Sequence, residues 1–356
     1  MHVAKSENQC SMKTRILFRH LFVSTVLATL MGMGQIIFAA PGRPRAVVRS
    51  SFWQVAKHLD MGGSHFSYQS HEQVQGMIDQ VLAQFPEKLN ENAPQELNTA
   101  RLVLEVLQKL KNDFGLGEIS GTGASSFAIG KDLVRNKMFT HHYPAQDKGL
   151  MWRLFGTKPH EQEVLDLLPV ETVAMVQTDL DLVLAVNWVE AFLKRHHPQQ
   201  AQMVAQMKLQ LNQQVGLERL LASYGGEVGM AVMMDLNTKL ILPPEAPKLP
   251  VPGILLTIKV KDDALYKFIA AMLGTAAPTR IQKVQGVDMT VMDLPANDLK
   301  SLTAMGIRAQ PALFQVDGYL MLASDLTLAG RVLSTRSGNW PGLTTSPEFA
   351  RFANGL

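Results

Sequence analysis

The chain has 356 residues, 46% hydrophobic and 18% charged, enough for about two domains with sizeable cores and too apolar for global disorder. Its formal net charge of +3 vanishes once residues 1–40 are set aside, because Lys5, Lys13, Arg15 and Arg19 there face only Glu7. With no basic stripe interleaved with aromatics, nucleic-acid binding is disfavoured.

Residues 1–40 have the order of a secretory signal: basic Lys13, Arg15 and Arg19, an apolar run from Leu21 to Phe38, then the small residues Ala39 and Ala40. Met12 begins the natural signal pattern. Two fates stay open. Cleavage after Ala39 or Ala40 frees the rest of the chain, or the run, which approaches the roughly 20 residues needed to span a bilayer, remains as an anchor. Membrane contact is expected only through residues 21–40, and only if they are uncleaved. Cys10, the single cysteine, precedes this run, so the exported part has neither thiol nor disulfide, which a domain of this size does not need.

Residues 41–51 form a basic linker. Phe52–Leu59 reads as a short strand or helix, and His65–Gln69 alternates as a strand. Ser70 and Gln73 have capping-box spacing ahead of Val74, Met77, Ile78, Val81, Leu82 and Phe85, which keep the 3.6-residue period. Asn92 and Pro94 open a second helix bearing Leu97, Val103, Leu104, Leu107 and Leu110, ended by Gly115. Strands are expected at Ile119–Ile129, Lys137–Tyr143 and Leu150–Phe155, then a short helix near Glu161 and Glu163. Thr172–Gln177 is the next strand. Thr178 caps a helix bearing Leu180, Val183, Leu184, Trp188 and Phe192, stopped by Pro198, and a glutamine-rich helix covers 199–222. Glu227–Asp235 alternates as a strand, prolines 243–252 make a solvated loop, and Ile254–Val260 is a strand. Asp262 caps a helix that ends at Gly274, and Gln285-Gly286 turns a hairpin into Val287–Met292.

The stretch from Ala312 to Leu333 is the clearest unit. Asp317-Gly318 separates two apolar runs and predicts a type I′ hairpin, and Ser324 caps a helix bearing Leu328, Ala329, Val332 and Leu333. Weaker versions of this strand–turn–strand–capped-helix unit recur. The fold expected is α+β, with helices on largely antiparallel sheets, in two related subdomains, 52–168 and 169–356. Ser346-Pro347 starts a last helix carrying Phe349 and Phe352. The repeated architecture then reads as cut short, with an open sheet edge beside that helix.

No stretch carries a catalytic, metal or nucleotide signature. Gly121-Thr122-Gly123-Ala124-Ser125-Ser126 resembles a phosphate loop only loosely, since it lacks the Lys-Ser/Thr ending. His141-His142 lie on a strand and point to opposite faces, without metal-ligand spacing. His196-His197 end a helix, where the dipole favours cations. His58, Asp60, Ser64, His65 and His71 hold the residue types of a hydrolase triad but no nucleophile elbow. His58, His65 and His71 are therefore the candidate catalytic residues of a rival reading. Asp179, Asp181, Asp262 and Asp263 sit at helix starts, where capping accounts for them. No cofactor and no metal is expected.

The phrases GLMWRLFG, LLPVETVAMVQTDLD, ILLTIKVKDDAL, DGYLMLAS and PGLTTSPEFARF resemble a group of uncharacterised exported bacterial proteins that carry only a domain-of-unknown-function label. The resemblance covers most of residues 150–352. It implies an exported α+β protein and supplies no activity, ligand or functional residue. The function expected is binding or scaffolding in the cell envelope, periplasmic or extracellular or anchored on the inner membrane, with a protein partner compatible. The rival is an exported hydrolase with dispersed catalytic residues.

Overall fold

Asp317 and Gly318 turn the chain at φ 46° and 78° in the computed structural model, which describes residues 51–76, 109, 111, 113–131, 133–143, 149–156, 158–241, 248–307 and 309–353. This is the left-handed pair that a type I′ turn requires. Val316 pairs with Tyr319 across it, so β9 (Ala312–Val316) and β10 (Tyr319–Ala323) form a two-residue hairpin. Gln285 and Gly286 repeat the device at φ 48° and 86°, joining β7 (Thr279–Val284) to β8 (Val287–Met292).

The fold is α+β, with two antiparallel sheets. The smaller is a meander of β1 (His65–Ser70), β2 (Ile119–Gly130) and β3 (Leu133–His142), with α1 (Phe52–Ala56) packed on it. Gly123 explains that close approach. A Cβ there would lie 2.7 Å from Val55 Cγ1 and from Leu59 Cδ1, so the glycines of the loosely phosphate-like stretch make room for α1.

The larger sheet has seven strands in the order β4-β5-β6-β10-β9-β8-β7, with β4 at Thr172–Asp179, β5 at Tyr224–Lys239 and β6 at Pro250–Val260. Its halves share one sequence of elements. β4 is followed by α3 (Leu182–His196), α4 (Pro198–Val215) and α5 (Leu217–Ser223), then the pair β5-β6, then α6 (Ala264–Ala276). β8 is followed by α7 (Ala296–Ala304), then the pair β9-β10, then α8 (Leu326–Arg336). The halves meet where β6 pairs with β10. The two sheets lie on either side of residue 168, yet Val164, Leu167 and Leu168 are buried in the larger sheet's core, and the described residues from Ser51 onward fall in one compact unit.

Period-two alternation divides the larger sheet into two faces. Leu255, Phe314, Met321, Val291 and Ala231 point to one face, where α8 and residues 164–168 bury them. On the other face Val260, Leu313 and Leu320 pack under Leu265, Ile269 and Leu273 of α6. That cover stops at the sheet's middle.

Several elements differ from expectation. Leu150–Phe155 is not a strand but holds α2 (Met151–Leu154), because Leu150 and Leu154, one helical turn apart, are both buried. The caps lie slightly further along the chain. Asp181, not Thr178, accepts from Leu184 N at 2.8 Å, and Asp325, not Ser324, accepts from Leu328 N at 2.9 Å. The two expected cap residues stay in the preceding strand or its hydrogen bonds, Ser324 Oγ accepting from Ile254 N. Strand β6 begins at Pro250, inside the expected proline loop. The hairpin expected at Gln285-Gly286 forms, its first strand being β7, whereas α7 was not anticipated. Ser346 does cap α9 (Pro347–Ala353), accepting from Phe349 N at 3.0 Å. Of the amphipathic stretches 74–85 and 92–110, residues 77–108 and 110 lie outside the described residues, as does the side chain of Phe352.

Candidate functional site

The strand ends Asp179, Tyr224 and Lys259 bring together a polar network on the α8-covered side of the sheet. Glu227 on β5 is 5% exposed. Its Oε1 accepts from Lys259 Nζ at 2.7 Å, and its Oε2 accepts from Tyr319 OH at 2.8 Å and Gln177 Nε2 at 3.2 Å. Lys259 Nζ also donates to Glu163 Oε2 at 3.1 Å and lies 5.6 Å from the centroid of the Tyr319 ring. Four strands thus each contribute one member, and every oxygen of the buried carboxylate is satisfied, as burial of a charge demands. Burial works to raise the Glu227 pKa, but the bonds from Lys259, Tyr319 and Gln177 outweigh it and the net shift is downward. The bond to Glu227 raises Lys259. Tyr319 is raised by burial and by Glu227.

Beside this network opens a cleft of about 550 Å³, lined by Arg153, His160, Asp179, Asp181, Tyr224 and Lys261 among others. Gly156 bends the chain into it at φ 74°, and a Cβ there would lie 2.2 Å from Asp179 Oδ2. His160 Nε2 donates to Asp179 Oδ1 at 2.8 Å and its Nδ1 donates to Glu161 O at 2.8 Å. Both ring nitrogens face acceptors, so only the imidazolium satisfies both. The Asp179 bond accordingly raises the His160 pKa, with the Glu161 carbonyl adding to it. The Tyr224 hydroxyl is buried without a hydrogen-bond partner among the described residues. Burial, with Asp179, Asp181 and Glu227 nearby, pushes its pKa up to about 12. The cleft offers mixed charge and hydrogen-bonding groups. No serine, threonine or cysteine is among the described residues that line it.

The sequence's triad candidates do not converge. His58 stacks on Phe139 with ring centroids 3.9 Å apart. His65 is exposed on β1, opposite Ser126. His71 Nε2 meets Thr122 Oγ1 at 3.0 Å, and burial lowers its pKa. Asp60 is held by Arg135 and Lys137, whose bonds depress its pKa, and Ser64 Oγ donates to the Ser126 carbonyl. His141 Nδ1 lies 2.6 Å from Ser120 Oγ, but Ser120 is fully buried and out of reach of a substrate. His142 stacks on Trp152 at 3.7 Å. His196, at the end of α3, pairs with Asp113 at 2.9 Å, beside Arg195. No group of three or more metal-ligating side chains occurs among the described residues. No helix among them is long and apolar enough to cross a membrane, and residues 21–40 lie outside them.

No family model matches the chain, and neither a curated protein nor a solved structure is similar to it.

Sequence reasoning missed the Glu227 network and the His160–Asp179 pair. Lys259 was the available trace of the Glu227 network. It is the single charge in the apolar strand run Ile254–Val260, and a charge there requires a partner.

Proposed function

We propose that the chain is an exported protein of the cell envelope that works by binding or scaffolding. The observation that carries this is an apolar area on the larger sheet that is left uncovered among the described residues. Val176, Met230 and Leu256 stand in register across β4, β5 and β6 and all three are exposed. Contiguous exposed apolar area of this kind marks an interaction site. The export signal expected at residues 1–40 supplies the location, and the absence of cysteine beyond residue 10 suits any compartment.

The rival, an exported hydrolase with dispersed residues, draws support from the His160–Asp179 pair in a cleft. Against it, both nitrogens of that ring already donate, which leaves no lone pair for a general base.

Fractionation with N-terminal sequencing tests the proposal. The protein is expected outside the cytoplasm with a start near Ala40 or Pro41, or in the inner membrane if residues 21–40 are retained. A soluble cytoplasmic product that keeps Met12–Ala40 contradicts it.

A further inference from the structure

One row of side chains crosses the whole of the larger sheet on the α6 side: Val176, Met230, Leu256, Leu322, Leu313, Thr290 and Ile281. α6 buries Leu313 and, through the Tyr266 hydroxyl at 2.9 Å, Thr290. Val176, Met230 and Leu256 remain 66%, 46% and 42% exposed. In the next row Ala174, Val232 and Ile254 are also in register, with Ile254 46% exposed. The rows Thr178–Val228–Ile258, Val176–Met230–Leu256 and Ala174–Val232–Ile254 contain no charged side chain.

The edges differ in the same sense. β7 carries Arg280 and Lys283, the charges by which natural edge strands resist pairing. β4 runs Thr-Val-Ala-Met-Val-Gln-Thr before its first charge at Asp179 and has no proline. It is the last strand of its sheet among the described residues, with Val173 59% exposed.

We infer that this half-sheet is the interface of a two-fold homodimer, in which the β4–β6 face of one copy stacks on that of the other. The identity of the partner rests on the binding function proposed above. Two observations select a second copy. First, α6 ends over the middle of the sheet, so the open half is a step about one helix diameter, ~10 Å, deep. Stacked sheets are also ~10 Å apart. A two-fold axis parallel to the strands sets each open half into the other's step and carries each α6 beside the other's bare β4 edge. Second, a two-fold contact brings each charge near its own copy, which an uncharged face tolerates.

Sedimentation of the purified full chain, with a Cys10→Ser change, should give a dimer at 1–100 µM. Val176→Lys combined with Leu256→Lys should weaken association at least 100-fold and leave the melting curve of the monomer cooperative. Val189→Lys, at an exposed site on α3, should leave the dimer intact. Should the double variant fail to fold, Met230→Cys decides. A short bismaleimide should cross-link it to its own copy, and Ile281→Cys at the β7 edge should stay uncrosslinked. A monomer at 100 µM, a dimer indifferent to the lysines, or no Met230→Cys cross-link overturns the proposal. A monomer that is nonetheless exported leaves the envelope function standing, whereas a cytoplasmic dimer sinks that function and keeps the interface.

Discussion

The two halves of the larger sheet are built from the same elements yet finished differently. Over β8, β9 and β10, α6 seals Leu313, Leu320 and Thr290, and the outer strand β7 carries Arg280 and Lys283. Over β4, β5 and β6 the same face is left bare among the described residues, and the outer strand is uncharged until Asp179. Alternation alone predicts identical burial for Leu256 and Leu313, because both sit on the same face two strands apart. Cover is set instead by where the connecting helices land. α6 leaves β6 and crosses to β8 and β9, while the α3–α4 pair leaves Val176 and Met230 exposed.

The largest expected effect sharpens this contrast. Leu313→Ala removes a fully buried side chain and should cost about 2–5 kcal/mol in urea unfolding. Leu256→Ala, in the same row but exposed, should cost under about 1 kcal/mol in a monomer. Equal losses in a monomeric protein would mean that the open half is covered after all.

Next comes Glu227. Glu227→Gln leaves Lys259 without its buried counter-charge and should cost about 2–3 kcal/mol, below the full value for a buried pair because Lys259 is 28% exposed. Its pKa is depressed from an ordinary 4.5. The stability it contributes is therefore complete above pH 4.5 and is lost as the pH falls through the folded value. The variant should lose part of the acid-side fall in melting temperature, and an unchanged acid limb would place the charge elsewhere.

A smaller effect is expected at the hairpin under the sealed half. Gly318→Val forces a β-branched residue to φ 78° and should cost about 1–2 kcal/mol. An unaltered melting curve would count against the turn's role. The smallest effect is at His160. Its raised pKa means that its contribution is complete below 6.5 and is lost as the pH rises through the folded value. Ring proton shifts should titrate with a midpoint above 6.5, and Asp179→Asn should bring it down.

Local signals were legible in the sequence and lateral ones were not. Asp317-Gly318 announces itself because two adjacent residues must both adopt positive φ. Ser346 was found as a cap because the proline after it fixes the first helical residue. Thr178 and Ser324 were misassigned because strand and helix meet there, and hydrogen bonds from neighbouring segments decide which residue is the cap. The Glu227 network escaped because its members Gln177, Glu227, Lys259 and Tyr319 lie on four strands and are brought together by register alone. His58, His65 and His71 attracted notice by closeness along the chain, yet His58 stacks on Phe139, His71 meets Thr122 and His65 is exposed on β1. The uncovered half-sheet was invisible for the same reason, since Val176, Met230 and Leu256 look like core in any strand pattern.

The most direct test of the difference between the two halves is backbone hydrogen exchange of the full chain at 1 and 100 µM. The two-fold interface calls for amides of β4 and β6 to gain protection with concentration while those of β7 stay unchanged. Exchange in β4 that is as fast as in β7 and independent of concentration would contradict it.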